Sequence, residues 1–314
     1  MLKGENLSKV YSSGIISPVE KTAVDGVNIE INEGETIAIV GESGCGKTTL
    51  AKMLMGQIEP TGGEVYFSGR NLTTMKRREL RGLRTSFQLI PQHPDDAVDP
   101  RWTIGRSVAE PLTIAGNMSR EEIEDLVDDR IAEVGLGGEL KERYPHQVSG
   151  GELQRAVIAR AMTLEPKVIV SDEATSMLDV SVQAHVMSVL KNIREKRGLA
   201  LIVITHDLGL ARAVADRTYV MFAGEIVEEG ADVFENPLHP YTRSLLDAME
   251  YPDIEDTVTE VCEVPAGEHT GCRYYERCSE RTEECREKQA LRDFGGHKVR
   301  CINTGPAGLS ERLE

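Results

Sequence analysis

Apolar residues fall along this chain in short dense runs, set between longer stretches of mixed character. Thr36-Ile-Ala-Ile-Val40, Val168-Ile-Val-Ser171 and Leu201–Thr205 are too short for helices and too uniformly apolar for strands facing water. They predict strands covered on both faces. Thr85–Ile90 predicts another, ending at Pro91-Gln92. Elsewhere the period is two. Val27–Ile31 alternates apolar and polar positions, and with a strand ending at Lys9-Val-Tyr11 it predicts an antiparallel layer over residues 2–40. Ser12–Lys21, which carries Gly14 and Pro18, reads as a loop, and Gly62–Gly69 as a strand between two turns. The Lys- and Arg-rich stretch 71–84 reads as a solvated helix face.

From Trp102 to about Glu165 the period lengthens to that of helices. Ser119-Arg-Glu-Glu122 is a capping box, and Ile123, Leu126, Val127, Ile131 and Val134 follow on one face. A second helix is predicted over Ser149–Ala161, and a third runs to about Arg197. Thr218–Met221 and Glu225–Glu229 predict closing strands around a turn at Gly224. Strands alternating with helices imply an α/β protein with a mostly parallel, covered sheet. An antiparallel β layer precedes it, and a helical subdomain is inserted at about 102–165. Beyond about residue 231 the periodicity weakens, and residues 251–314 hold 14 Asp and Glu against 9 Lys and Arg. That end reads as a small module or tail.

One turn in this pattern carries chemistry. Gly41-Glu42-Ser43-Gly44-Cys45-Gly46-Lys47-Thr48-Thr49 follows the Thr36–Val40 strand and precedes Leu50, Ala51, Met53 and Leu54 at helical spacing. It fits G-x-x-x-x-G-K-[ST] at every fixed position, in the strand–turn–helix context of a phosphate-binding loop. Gly41, Gly44 and Gly46 allow positive φ, so that successive N–H groups can converge on phosphate oxygens. The helix adds the positive end of its dipole. Lys47 is placed for the β- and γ-phosphates and the Thr48 hydroxyl for Mg²⁺.

Charge and cysteine content narrow the setting. Among 314 residues, 36 Lys and Arg face 52 Asp and Glu, a net charge of −16 that repels nucleic acid. The longest uninterrupted apolar stretch, Leu199–Ile204, is far short of a membrane span, and no charged-then-apolar leader is legible. A cytoplasmic chain whose membrane role depends on a partner is expected. Of six cysteines, Cys45 lies in the phosphate loop and the others crowd between Cys262 and Cys301, which in a reducing compartment suggests metal before disulfide.

Asp172-Glu173 follows the Val168–Ser171 strand, at the edge where open α/β sheets bind ligands. Asp172 can hold Mg²⁺ and Glu173 can polarise an attacking water. His206, after the Leu201–Thr205 strand, can donate to a γ-phosphate, and the Gln92 amide oxygen can ligate Mg²⁺ or the water. Ser149-Gly150-Gly151 opens a helix with a hydroxyl and two glycines, which is either an anion site or an ordinary N-cap.

Taken in order, the phosphate loop, Gln92, Ser149-Gly150-Gly151, Asp172-Glu173, Ser176–Asp179 and His206 resemble the nucleotide-binding subunit of an ABC transporter, over about residues 1–235. The resemblance implies a head-to-tail dimer, of two copies or of two paralogues, with two ATP molecules sandwiched between subunits. It assigns Lys47, Thr48, Gln92, Asp172, Glu173 and His206 to one ATP, Ser149 and Gly151 to the partner's ATP, and Asp179 to a bridge. Tyr11 matches the aromatic residue on which adenine stacks. Two residues depart from the pattern. Glu152 stands where the family has a neutral residue, and is expected to be mildly repulsive near the partner's γ-phosphate. Ala174 replaces a proline that mainly fixes a turn.

Gly224–Gly230 and Phe234-Glu-Asn-Pro-Leu-His-Pro-Tyr-Thr242 resemble the peptide and nickel import branch, as does Arg101-Trp-Thr-Ile104. That branch implies two membrane permeases, an external solute-binding protein and a peripheral location on the cytoplasmic face of the membrane. Residues 236–314 then form a C-terminal extension. Its Cys272, Cys278, Cys285 and Cys301 follow the cysteine-bearing segment of peptide importers, and the branch implies a [4Fe–4S] cluster in some members. The spacing suits no zinc ribbon, and iron–sulfur, zinc and free thiols stay open. Cys262 is left out of the set. The expected function is ATP hydrolysis that drives import of di- or oligopeptides. A nickel importer, or a soluble ABC ATPase in metalloenzyme assembly, is the alternative.

Overall fold

The computed structural model describes residues 1–13, 19–176, 178–250 and 270–304. In chain order the elements are β1 (Leu2–Ser13), β2 (Val19–Ile31), β3 (Thr36–Val40), α1 (Lys47–Leu54), β4 (Gly62–Phe67), β5 (Arg70–Asn71), α2 (Arg77–Leu83) and β6 (Phe87–Ile90). Then follow α3 (Ile104–Ala115), α4 (Arg120–Glu133), α5 (Gly150–Met162), β7 (Val168–Asp172), α6 (Val180–Arg197) and β8 (Ala200–Thr205). The last are α7 (Leu208–Val214), β9 (Arg217–Phe222), β10 (Glu225–Gly230), α8 (Pro240–Glu250), β11 (Arg292–Asp293) and β12 (Lys298–Val299). By packing the chain divides into two units: residues 1–31, 37–74 and 205–314, and residues 32–36 and 75–204.

In the first unit β2, β1, β4 and β5 form an antiparallel layer that differs from the one expected over residues 2–40: β4 and β5 join β1 from later in the chain, and β3 leaves it to pair with β9. The loop expected over Ser12–Lys21 is shorter than its composition suggests. Tyr11, Ser12 and Ser13 pair with Lys21, Glu20 and Val19. Tyr11, Ser12, Glu20 and Lys21 are exposed, so backbone pairing holds a ribbon there that no apolar pattern marks. Gly14 and Pro18 lie outside the described residues. The helix expected over 71–84 is confined to Arg77–Leu83. Asn71 Oδ1 accepts from the Thr73 and Thr74 N–H groups at 2.9 and 3.4 Å, a local turn that competes with helix.

In the same unit β3 runs parallel to β9, β9 pairs antiparallel with β10, and β12 and then β11 extend β10 on its far side. Ala38, Val40, Val220, Phe222, Val227, Val233, Tyr241 and Tyr274 form one buried cluster, so the C-terminal extension shares a core with the strands beside the phosphate loop. β10 is buried throughout although it carries three glutamates. A buried carboxylate needs a partner, and each has one. Glu225 lies 3.6 Å from Arg273, Glu228 lies 2.7 Å from His297 Nε2, and Glu229 lies 3.2 Å from both Arg217 and Lys298. Glu228 also accepts from the Leu238 and His239 N–H groups, which fixes the Pro-Leu-His-Pro-Tyr-Thr turn at the start of α8. Burial, with Arg243 nearby, pushes His239 down to about 3, and its neutral Nδ1 accepts from the Tyr241 N–H at 3.0 Å.

In the second unit β6, β7 and β8 are parallel neighbours. α3, α4 and α5 pack on one another and α5 reaches β6, so the helices expected within 102–165 are present. The Thr85–Ile90 strand is trimmed to Phe87–Ile90 by a 3₁₀ turn over Arg84–Ser86.

Candidate active site

Each unit carries one set of the residues that the sequence singles out. In the first unit the phosphate loop follows β3 and opens α1, with Gly46 as N-cap at φ 111°. A Cβ at Gly46 would come within 2.1 Å of the Ala23 carbonyl oxygen, and one at Gly41 (φ 150°) within 2.1 Å of that of Met221. Only glycine lets the backbone pass these two points. The crown, Ser43 and Gly44, is exposed, while Thr48 and Thr49 in the first turn of α1 are half-buried. Both threonines stand in the first turn of α1, at the positive end of its dipole, where anions bind. Lys47 is 5% exposed, and its Nζ donates to the Gly41 and Glu42 carbonyls at 2.8 Å each. Cys45 is buried beside it. Burial pushes its thiol up although the Lys47 ammonium pulls it down, so it stays a neutral thiol.

Three further residues fasten this loop. The Gly224 N–H in the β9–β10 turn donates to the Cys45 carbonyl at 2.9 Å. The Glu42 N–H donates to Tyr241 Oη at 3.0 Å. Arg277 donates to both Glu42 carboxylate oxygens, at 3.0 and 2.8 Å. Arg273 in turn donates to the Ala223 carbonyl beside Gly224 and to Asp25 on β2. Sequence reasoning missed both arginines: a lone Arg in an acidic tail has no local signature. Tyr11 is 44% exposed on β1, with the Lys9 ammonium 5.4 Å from its ring centre, and His206 is exposed just past β8.

In the second unit Ile90 pairs with Ser171 and Asp172 with Ile204, so Asp172 closes the carboxyl end of β7 and Gln92 and Glu173 stand just past the carboxyl ends of parallel strands. Glu173 has φ 49°, an uncommon conformation for a side-chain-bearing residue. Its N–H donates to the Ile204 carbonyl at 2.9 Å and its own carbonyl accepts from the Ser176 hydroxyl at 2.9 Å. The Gln92 amide nitrogen donates to Glu173 Oε2 at 3.0 Å. A carboxylate only accepts here, so the amide presents nitrogen to Glu173, and its oxygen faces away.

Ser149 caps α5. Its Oγ accepts from the Glu152 N–H at 3.3 Å, and Glu152 Oε2 accepts from the Ser149 N–H and hydroxyl, both at 2.8 Å. Those bonds hold the Glu152 carboxyl below its usual range. The acidic departure from the family pattern thus completes a capping box. Gly150 follows the cap. A Cβ on Gly151 would lie 2.4 Å from Val182, so glycine there permits close approach of α5 and α6. Asp179 caps α6, accepting from the Ser181 hydroxyl at 2.6 Å and the Val182 N–H at 3.0 Å.

The four described tail cysteines belong to the first unit, and Cys262 lies outside the described residues. Burial pushes Cys272 up to about 11, and the nearby Cys285, Cys301 and Cys278 push the same way. Among the described residues no group of three His, Cys, Asp or Glu side chains is close enough to hold a single metal ion.

A glycine loop opening a helix, with carboxylates at the ends of parallel strands, defines a phosphate-loop nucleoside triphosphatase. A family model described as ABC transporter matches residues 24–176, and one described as Oligopeptide/dipeptide transporter, C-terminal region, matches residues 227–285. The oligopeptide transport ATP-binding protein OppF of Escherichia coli (strain K12) is 42% identical over 300 residues, covering 92% of this chain and 90% of that protein. The di/tripeptide transport ATP-binding protein DppF of Pseudomonas aeruginosa (strain UCBPP-PA14) is 42% identical over 287 residues, covering 89% of each. Among solved structures, a dimeric post-hydrolysis state of the ATP-binding cassette MJ0796 bound to ADP and Pi matches with TM-score 0.66 at 31% identity, over 73% of this chain and 97% of that one. The structure of cbiO1 from Clostridium perfringens, part of an ABC transporter complex, matches with TM-score 0.68 at 26% identity, over 81% and 95%. The chain belongs to the ATP-hydrolysing subunits of ABC transporters, in the branch with the oligopeptide/dipeptide type of C-terminal region. Among the described residues no helix is long and apolar enough to cross a membrane.

Proposed function

We propose that this chain couples ATP hydrolysis to the import of di- or oligopeptides, as a peripheral subunit on the cytoplasmic face of a membrane. The observation that carries this reading is the joining, in one chain, of the phosphate loop and a C-terminal region of the oligopeptide/dipeptide type, with 42% identity over 300 residues to a peptide-transport relative. Lys47 and the N–H groups of Gly44–Thr49 bind the phosphates of ATP, Thr48 and Asp172 hold Mg²⁺, and Tyr11 stacks on adenine. Glu173 orients and polarises the attacking water, with Gln92 steadying its carboxylate, and His206 donates to the γ-phosphate. Ser149, Gly150 and Gly151 meet the ATP of a homologous second subunit and Asp179 bridges the two. Supporting this are the capped, preorganised N-terminus of α5 and the Gln92–Glu173 hydrogen bond. Two permeases and an external solute-binding protein complete the importer. Trp102, stacked 4.1 Å from the Arg106 guanidinium, belongs to the permease-facing stretch.

We further propose that Cys272, Cys278, Cys285 and Cys301, four thiols in one segment of the first unit, supply the ligands of a [4Fe–4S] cluster, a reading that rests on the ligand chemistry of four cysteines. Such a cluster would supply a structural or redox-active centre. Iron and sulfide analysis of anaerobically purified chain tests it, with about four of each per chain expected.

The main test is peptide-driven ATP turnover of the complex reconstituted with its permeases. Glu173→Gln is expected to lower kcat by about 100-fold or more while ATP still binds. Full turnover in that variant would remove Glu173 from its assigned role.

A further inference from the structure

The C-terminal extension grips the residue of the phosphate loop on which Lys47 rests. Glu42 is held at every polar group. Its N–H donates to Tyr241, its carbonyl accepts from Lys47 Nζ, and its carboxylate, 8% exposed, accepts two bonds from Arg277. Arg277 is itself set by its surroundings. Its guanidinium lies 5.6 Å from the Phe222 ring centre and 5.5 Å from that of Tyr274, and both rings belong to the core shared by β9 and the extension. A forked, stacked guanidinium fixes direction as well as charge. From the next turn of the same segment, Arg273 holds the Ala223 carbonyl, and the neighbouring Gly224 N–H carries the Cys45 carbonyl.

We propose that Arg277 is a positioning residue for ATP binding. Through Glu42 it sets the phosphate loop and cancels a carboxylate that would otherwise face an incoming polyphosphate. A nearly buried, uncompensated carboxylate beside a polyanion site raises the free energy of the bound state, and a slack Glu42 peptide misplaces the carbonyl against which Lys47 is held. The extension thereby tunes nucleotide affinity without touching nucleotide. This inference rests on the ATP-binding role of Lys47 given above, and the experiment separates the two.

The full-length chain and its Lys47→Ala, Arg277→Ala, Arg277→Lys and Arg277→Ala/Glu42→Gln variants are compared by equilibrium binding of Mg-ATP, and by KM and kcat in the assembled complex. Arg277→Ala is expected to weaken binding about tenfold and to raise KM by a similar factor with kcat within about twofold. Arg277→Lys, which keeps the charge and loses the fork, should fall between it and the parent. The double variant should recover most of the lost affinity, because the orphaned charge is gone. A merely structural role for Arg277 would give no such recovery. If Lys47→Ala abolishes binding while Arg277→Ala and Arg277→Lys both bind as the parent does, the positioning role is refuted and the ATP site stands. The positioning role is equally refuted if the double variant is no better than Arg277→Ala. If Lys47→Ala binds as tightly as the parent, the ATP reading fails first. Should Arg277→Ala not fold, Arg277→Lys carries the comparison, with Glu42→Gln as its second-site partner.

Discussion

The phosphate loop and the strand β10 lie in the same unit and both place charged groups where water is scarce, yet they do so by opposite means. The loop is shaped by backbone. Gly41 and Gly46 pass the Met221 and Ala23 carbonyls at positions that exclude a Cβ, and the charge of Lys47 rests on main-chain oxygens. In β10 the backbone is an ordinary strand, and three buried glutamates depend on side chains brought from elsewhere, chiefly Arg273, His297 and Lys298 of the extension. A backbone device is local and leaves a motif. A side-chain device is assembled from distant residues, and leaves none.

The comparison breaks most sharply at His297. His297→Ala strands Glu228, which has no exposed surface, and should lower stability by about 3–5 kcal/mol in denaturant unfolding. A loss under about 1 kcal/mol would show that the Leu238 and His239 N–H groups suffice. Next comes the loop. Gly46→Ala combines a strained φ with a carbonyl clash and should cost about 3 kcal/mol, with nucleotide binding lost alongside. A variant that binds ATP normally would show that the backbone can yield there.

A smaller effect follows pH. Burial pushes the His297 imidazole down from 6.5, but Glu228 and Asp232 together outweigh it, and the net direction is up. A raised folded pKa stabilises most below the unfolded value, and that contribution is lost as pH rises through the folded one. The unfolding midpoint should therefore fall as pH climbs past the ordinary histidine range, and His297→Ala should flatten that dependence. Smallest is Tyr241→Phe. It keeps the ring packing on Phe222, 4.5 Å between centres, and removes the acceptor for the Glu42 N–H, for about 1 kcal/mol of stability. Unaltered stability would place that N–H on water.

How far the chain could be read follows the same division. The phosphate loop, the strands Thr36–Val40, Val168–Asp172 and Ala200–Thr205, and the α5 capping serine were legible because glycine spacing, dense apolar runs and cap residues each act within a few positions. The continuation of β1 and β2 past Tyr11 was not, since a ribbon exposed on both faces carries no apolar pattern. The Glu152 capping role was not legible either, because the family pattern marks its charge and not its bonds to the Ser149 N–H and hydroxyl.

By itself the sequence determined the local chemistry of this protein: where a phosphate can be cradled and which carboxylates end buried strands. Only the tertiary structure decided that Arg277 meets Glu42 across 235 positions and His297 meets Glu228 across 69. The reason is that an ion pair has no period. Glycine angles and apolar spacing act along the chain, whereas the partner of a buried charge is chosen by whichever element the fold packs against it.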